Sequence, residues 1–327
     1  MFARLRRMVL TCVMLSIGVL IAAGVGSAWA GFPERSIRLV VPFSPGGQSD
    51  QLARILSRFA NPYLDGKIYV ENVLGATGAI GWREAAKAAP DGYTLTLLSS
   101  SLFSAPNTIK GFPTYDLFDP ICLTVAQYGL ILTKYDGRFK TIQDVIAYAK
   151  AHPGEVKTAN SGFGGYTHMG TAGFEKAIGV KFTHVPYKGG SEASIATMGG
   201  HVDINMETIS ATVAHVEGKK LRPLIALGPE RFRRYPDVPT PKDLGYDYSV
   251  ASCIGIIGPK GMPEDVKKTL VAAFKKATEN EEYKKIMVQV GLQDESVFWG
   301  PSESDAFFKK NVVFYKDLAA QIGLTAK

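Results

Sequence analysis

The chain has 327 residues, 46% of them hydrophobic and 20% charged, which excludes a disordered or fibrous protein and leaves room for about two domains. Lys and Arg outnumber Asp and Glu by 37 to 30, a formal surplus of +7. Three of those arginines, Arg4, Arg6 and Arg7, precede an uncharged stretch over residues 8–25 that ends in Ala28, Trp29 and Ala30. A basic start, an apolar middle and an A-x-A triplet define an export signal cleaved after Ala30. The alternative, an uncleaved membrane anchor, is weakened by Thr11, Ser16, Gly18 and Gly24 within the stretch. Removing 30 residues and three arginines leaves 297 residues and a charge of +4, too weak for a nucleic-acid partner.

Short β-branched runs then alternate with amphipathic helices. Strands are predicted at 37–43, 68–73 and 94–98, with helices at 49–60 and 79–89 between them. This βαβαβ rhythm predicts parallel strands flanked by helices, with ligands at the carboxyl ends of the strands. Residues 119–133 read as one long or broken strand, followed by a helix at 141–152 opened by Thr141 and Asp144 in capping-box spacing. A second series places strands at 157–159, 182–185, 202–206 and 221–227, and helices at 168–178, 192–198 and 210–217. An extended run at 249–257 and helices at 263–280, 281–290 and 302–322 complete the chain. The order is best explained by two lobes joined by two extended crossings, near 125–135 and 245–255.

Four strands run into glycine-rich turns: Ser44 to Gly47, Gly75 to Gly78, Ser161 to Thr167, and Lys188 to Ser191. Glycines let backbone N–H groups converge, and a helix amino end attracts negative charge, so each turn is able to hold an anion. Hydroxyls at Ser44, Ser49, Ser99, Ser100, Ser101, Ser161 and Thr167 accompany them.

Other chemistries lack their motifs. There is no G-x-x-x-x-G-K-[ST] loop, no complete G-x-G-x-x-G, no G-x-S-x-G elbow and no H-E-x-x-H. His201, Asp203 and His215 read as surface polar residues rather than metal ligands, so neither a metal nor a cofactor is expected. Cys12 leaves with the signal, and the pair Cys122 and Cys253 is left open between one disulfide and two buried thiols. Asp50 is expected in the first turn of its helix, favouring the dipole there. Phe43 and Tyr166 either line a cleft or pack in the core. Lys188 either pairs with a carboxylate or is solvated, and Glu207 either accepts from an amine or faces water. Arg231, Arg233 and Arg234 read as a basic cluster that is structural or faces a partner.

The strings PERSIRLVVPFSPGGQSDQLAR, VENVLGATGAIGWREAAKAAPDGYTL, YDLFDPI, HVPYKGG with GGHVDI, and RFRRYPDVPT with GPKGMPEDV occur in this order. Together they resemble the Bug family of periplasmic receptors of tripartite tricarboxylate transporters, over essentially the whole mature chain. The resemblance implies a type II periplasmic binding protein fold: two α/β lobes, each a mainly parallel sheet flanked by helices, joined by two crossing strands. The expected division is residues 31–130 with 252–327 in one lobe and 131–251 in the other. It also implies a monomeric receptor that closes on a small organic carboxylate and delivers it to membrane permease subunits. First-lobe contacts would be Phe43, Ser44, Gly46, Gly47, Ser49, Ser99, Ser100 and Ser101. Second-lobe contacts would be Ser161, Gly164, Tyr166, Thr167, Lys188, Gly189 and Gly190. Ser44 departs from the proline often found there and adds a hydroxyl able to donate to a carboxylate. Two alternatives use the same cleft: an exported enzyme built on Ser49, Asp50 or His168, and a sensory receptor that presents the bound solute to a membrane kinase.

Overall fold

A computed structural model describes residues 31–64, 67–293 and 295–326. The leader read at residues 1–30 lies outside the described residues.

β1 (Ile37–Val41), β2 (Ile68–Asn72) and β3 (Thr94–Ser99) form a parallel set in the order β2-β1-β3. The crossovers run through α1 (Gln48–Ala60) and α2 (Ala79–Lys87). A second parallel set, β7 (Ile204–Thr208), β5 (Lys157–Asn160) and β6 (Thr183–Pro186), is connected through α5 (Tyr166–Ile178) and α6 (Gly190–Met198). α3 (Ser101–Ser104) follows β3, and α4 (Ile142–Ala151) carries the capping box of Thr141 and Asp144.

Between the two sets runs β4 (Phe118–Lys134), a single 17-residue strand, about 56 Å long at the usual rise. It pairs antiparallel with β9 (Ala251–Pro259) as far as Tyr128 opposite Ala251. From Gly129 opposite Thr208 onward it pairs with β7, and on its other edge with β8 (Leu221–Ala226). Each half is thus a parallel trio extended by antiparallel strands. The strand expected as long or broken is continuous, with bulges between Pro120 and Cys122 and between Leu123 and Val125.

β10 (Ser296–Trp299), which the sequence pattern did not indicate, pairs antiparallel with β4. Its four residues are all half-buried, so no alternation marks it. α7 (Ile209–Glu217), α8 (Glu264–Glu279), α9 (Glu281–Gln289) and α10 (Pro301–Ile322) complete the layers. One buried cluster joins α1, α7, α8 and α9 to one face of the sheet; another joins α2, α4, α5 and α10 to the other. Both clusters draw residues from both halves, so burial of apolar surface supports the whole sheet rather than two separate cores.

The disulfide that the sequence left open is not formed: Cys122 and Cys253 are free buried thiols. Cys122 stands opposite Ile256 and Cys253 opposite Ala126, so they are offset by several residues along the β4–β9 ladder. That offset is about 10 Å, beyond the roughly 7 Å a disulfide spans. Two arginines of the basic cluster are structural: Arg231 pairs with Asp243 at 2.8 Å within the segment after β8, and Arg234 with Glu217, tying that segment to α7.

Candidate functional site

The carboxyl ends of β1, β3, β5 and β7 face one another across a cleft with a cavity of about 50 Å³. Its lining includes twelve of the expected residues: Phe43, Ser44, Gly47, Ser49, Ser99, Ser100, Ser101, Ser161, Tyr166, Thr167, Gly190 and Glu207. Gly46, Gly164, Lys188 and Gly189 border the cleft without lining the cavity. Gly46 is exposed and gives its N–H to Asp50 Oδ2 at 2.9 Å. The Lys188 side chain is also exposed. Three lining residues went unrecognised in the sequence: Gln48, Thr208 and Ser252. Gln48 was legible as the residue following Gly46 and Gly47 at a helix start; Thr208 and Ser252 carried no signal.

The electrostatics come from the backbone. α1, α5, α6 and α7 start at this cleft, behind Gly47, Gly165, Gly189 and Thr208, and none of these four residues makes a side-chain capping bond. Helix amino ends carry partial positive charge and free N–H groups, so four of them converging form an anion site without any cationic side chain. No Lys, Arg or His lines the cavity among the described residues. Hydroxyls add donors that adapt to the ligand. Ser44 Oγ, Ser99 Oγ and Thr208 Oγ1 are buried with no hydrogen-bond partner in the protein. Ser161 Oγ lies 2.9 Å from Thr167 Oγ1, which accepts the Ser161 N–H at 2.8 Å. Ser100 is committed to structure: its Oγ accepts the Cys253 N–H at 2.9 Å.

The two walls touch. Gln48 Nε2 donates to Ser210 Oγ at 2.8 Å, the Tyr166 N–H donates to Ser101 Oγ at 3.1 Å, and Thr77 Oγ1 donates to the Phe163 carbonyl at 3.0 Å. Gly189 and Gly190 let the Ser44 and Glu207 side chains approach closely. A side-chain carbon would meet Ser44 Oγ at 2.2 Å from position 189 and Glu207 Oε2 at 1.5 Å from position 190. Phe43 both lines the cleft and packs edge-on against buried Trp82, with ring centroids 5.7 Å apart. Tyr166 likewise lines the cleft while its hydroxyl reaches back 3.4 Å to the Val250 carbonyl.

Asp50, weighed as a catalytic group, is a fastener for the first turn. Burial disfavours its charge, but hydrogen bonds from Arg54, the Gly46 N–H and Asn72 outweigh this and hold its carboxyl below the usual range. Its stabilising contribution is therefore present above the ordinary carboxyl value and is lost as pH falls through the lower folded value. Asp50→Asn is expected to destabilise the protein by about 1–2 kcal/mol at pH 7, because it removes charge-assisted bonds to the turn. Chemical denaturation at pH 7 and below pH 4 checks this; the difference should shrink at the lower pH.

His168 is no better placed for catalysis. Burial, reinforced by His184 facing it, pushes its imidazole down to about 3, and its Nδ1 accepts the Gly164 N–H at 2.9 Å. Among the described residues, Glu207 is the one carboxyl lining the cavity. Burial pushes it up to about 7, against a weak opposing bond from the Thr208 N–H to Oε1 at 3.2 Å.

Two α/β halves that share a continuous sheet and meet over a small polar cleft at the strand ends are the architecture of a periplasmic solute-binding protein. This chain belongs to the tripartite tricarboxylate transporter receptor family, whose model matches residues 52–310. It is 35% identical over 260 residues to BugT of Bordetella pertussis, covering 77% of this chain and 80% of that protein. Among solved structures it is similar to the periplasmic binding protein BugD, with a TM-score of 0.84 at 29% identity over 90% of this chain and all of the other. MatC of Rhodopseudomonas palustris with bound malate gives a TM-score of 0.81 at 26% identity over 88% of this chain and 99% of MatC. The resemblance read from the sequence is thereby confirmed, and so is the two-lobed α/β fold. The chain is a receptor of the periplasmic type.

Proposed function

We propose that this receptor captures a small carboxylate between its halves and delivers it, as a monomer, to membrane permease subunits of a tripartite transporter. The observation that carries the reading is the convergence of four helix starts and free hydroxyls from both halves on one small cavity. MatC, a relative of this fold, holds malate. Residues 31–130 with 252–327 act as one lobe and 131–251 as the other, a division supported by the change of partners along β4. In this reading Ser44, Gly47, Ser49, Ser99, Ser161, Thr167 and Gly190 offer N–H or O–H groups to the carboxylate, and Phe43 and Tyr166 shape the remainder. Contacts to both lobes at once favour the closed form in proportion to the solute's differential affinity.

Export with cleavage after Ala30 puts the receptor in the periplasm, and mass spectrometry of the secreted chain should find Gly31 at its amino terminus. The ligand reading is tested by melting the mature protein against a panel of small carboxylates. A true ligand at 100 times its dissociation constant should stabilise by about 2.7 kcal/mol, several degrees in melting temperature. Absence of any shift across the panel, in protein refolded to strip carried-over solute, would overturn the proposal.

A further inference from the structure

A cleft built for anions contains one anion of its own. Glu207 ends β7, its side chain is buried at 6% exposure, and it lines the cavity. One of its oxygens takes only the Thr208 N–H of the adjacent residue, at 3.2 Å. The other, Oε2, stands over Gly190 at the α6 start, where it meets the partial positive charge of the helix end but no cationic side chain. The lining holds no side-chain cation to balance it, and Tyr166 is its only other titratable member among the described residues. Charges on the surrounding elements are engaged elsewhere: Asp50 on α1 with Arg54 at 2.9 Å, and Glu192 on α6 with the Lys188 N–H at 3.3 Å.

A solute negative at both ends would place one carboxylate against the buried Glu207 carboxylate, where like charges repel more strongly than in water. A solute with a positive donor at that end removes the conflict, and the unpartnered Thr208 Oγ1 next to Glu207 supplies a second acceptor. The other wall offers the reverse chemistry, with Ser44 and Ser99 hydroxyls free to donate near the α1 start. Glu207 thus sets one acceptor-only group among the donors of the cleft.

We propose that the solute is an aminocarboxylate, its carboxylate held by the α1 and α5 starts and its ammonium group seated on Glu207 and Thr208. This rests on the receptor reading above and narrows it from carboxylates in general to those that also carry a cationic N–H group.

The test uses matched pairs that differ only by nitrogen: 3-aminopropanoate with propanoate, 4-aminobutanoate with butanoate, and aspartate with succinate. Calorimetric titration of the mature protein at pH 8 should show the amine member of at least one pair binding ten times more tightly or better. That advantage should fall to within about threefold in Glu207→Gln and survive in part in Glu207→Asp, with circular dichroism confirming that both variants are folded. Nitrogen-free members binding as tightly as their partners would overturn this inference and leave the receptor reading standing. An amine preference untouched by Glu207→Gln would also overturn it. Binding by no member of any pair, with none from the wider carboxylate panel, would overturn both readings.

Discussion

At pH 8, replacing Glu207 with glutamine should make the ligand-free protein more stable, although it removes an ionisable group from the binding cleft. The carboxyl is buried and shifted from an ordinary 4.5 to about 7, so the folded chain prefers its protonated form. A group raised in this way stabilises fully below its unfolded value, and that contribution is lost as pH climbs through the folded value. The window is therefore pH 4.5 to 7. Glutamine mimics the protonated side chain at every pH. Variant and parent should coincide near pH 4.5 and separate above pH 7 by about 3 kcal/mol, several degrees in melting temperature. Opposing titrations elsewhere, such as His168, cancel in the difference between the two proteins. Equal melting temperatures at pH 8 would show that the charge is relieved by something other than a ligand.

The second large effect is expected at Gly164, which borders the cleft without lining it. Gly164 has a φ of +73°, a left-handed conformation that costs any other residue about 1–2 kcal/mol. A side-chain carbon there would also lie 1.9 Å from Thr108 Oγ1 on the opposite wall. Only the backbone cost applies when the walls are apart; the clash arises when they meet. Gly164→Ala should therefore weaken solute binding roughly 30- to 100-fold, corresponding to about 2–3 kcal/mol, while circular dichroism stays native. Adding Thr108→Gly should recover the lost affinity, because the backbone strain is present with the walls apart as well and lowers stability rather than binding. An unchanged dissociation constant in the single variant would refute the role of this contact in closure.

How much of this was legible in the sequence depends on the kind of signal. The alternation of apolar strands and amphipathic helices exposed both parallel trios and even the long β4, because burial imposes periodicity. Periodicity places the helix starts at the cleft too late. α1, α5, α6 and α7 begin at Gln48, Tyr166, Gly190 and Ile209, whereas periodicity had placed those starts at 49, 168, 192 and 210. Glycines and hydroxyl residues are weak helix formers, so pattern matching discards the very turns that face the solute.

The glycine loops themselves announced an anion site, but not which side chains would share it. Twelve of the expected contacts gather at the cavity because they follow strands of one sheet, which topology dictates. Lys188 looked equally plausible by position and points to solvent. Thr208 and Ser252 come from the ends of β7 and β9, brought in by pairing between residues far apart in the chain, and no local pattern reports such pairing. The cysteine question was undecidable for the same reason: it turned on the β4–β9 register.

That register has a wider implication. Because β4 pairs with β9 up to Tyr128 and with β7 from Gly129, one uninterrupted strand acts as the ruler for both walls of the cleft. Inserting or deleting a residue within it would put the walls out of phase, since a one-residue slip turns every side chain to the opposite face. The turns at the strand ends, by contrast, can change without disturbing this register.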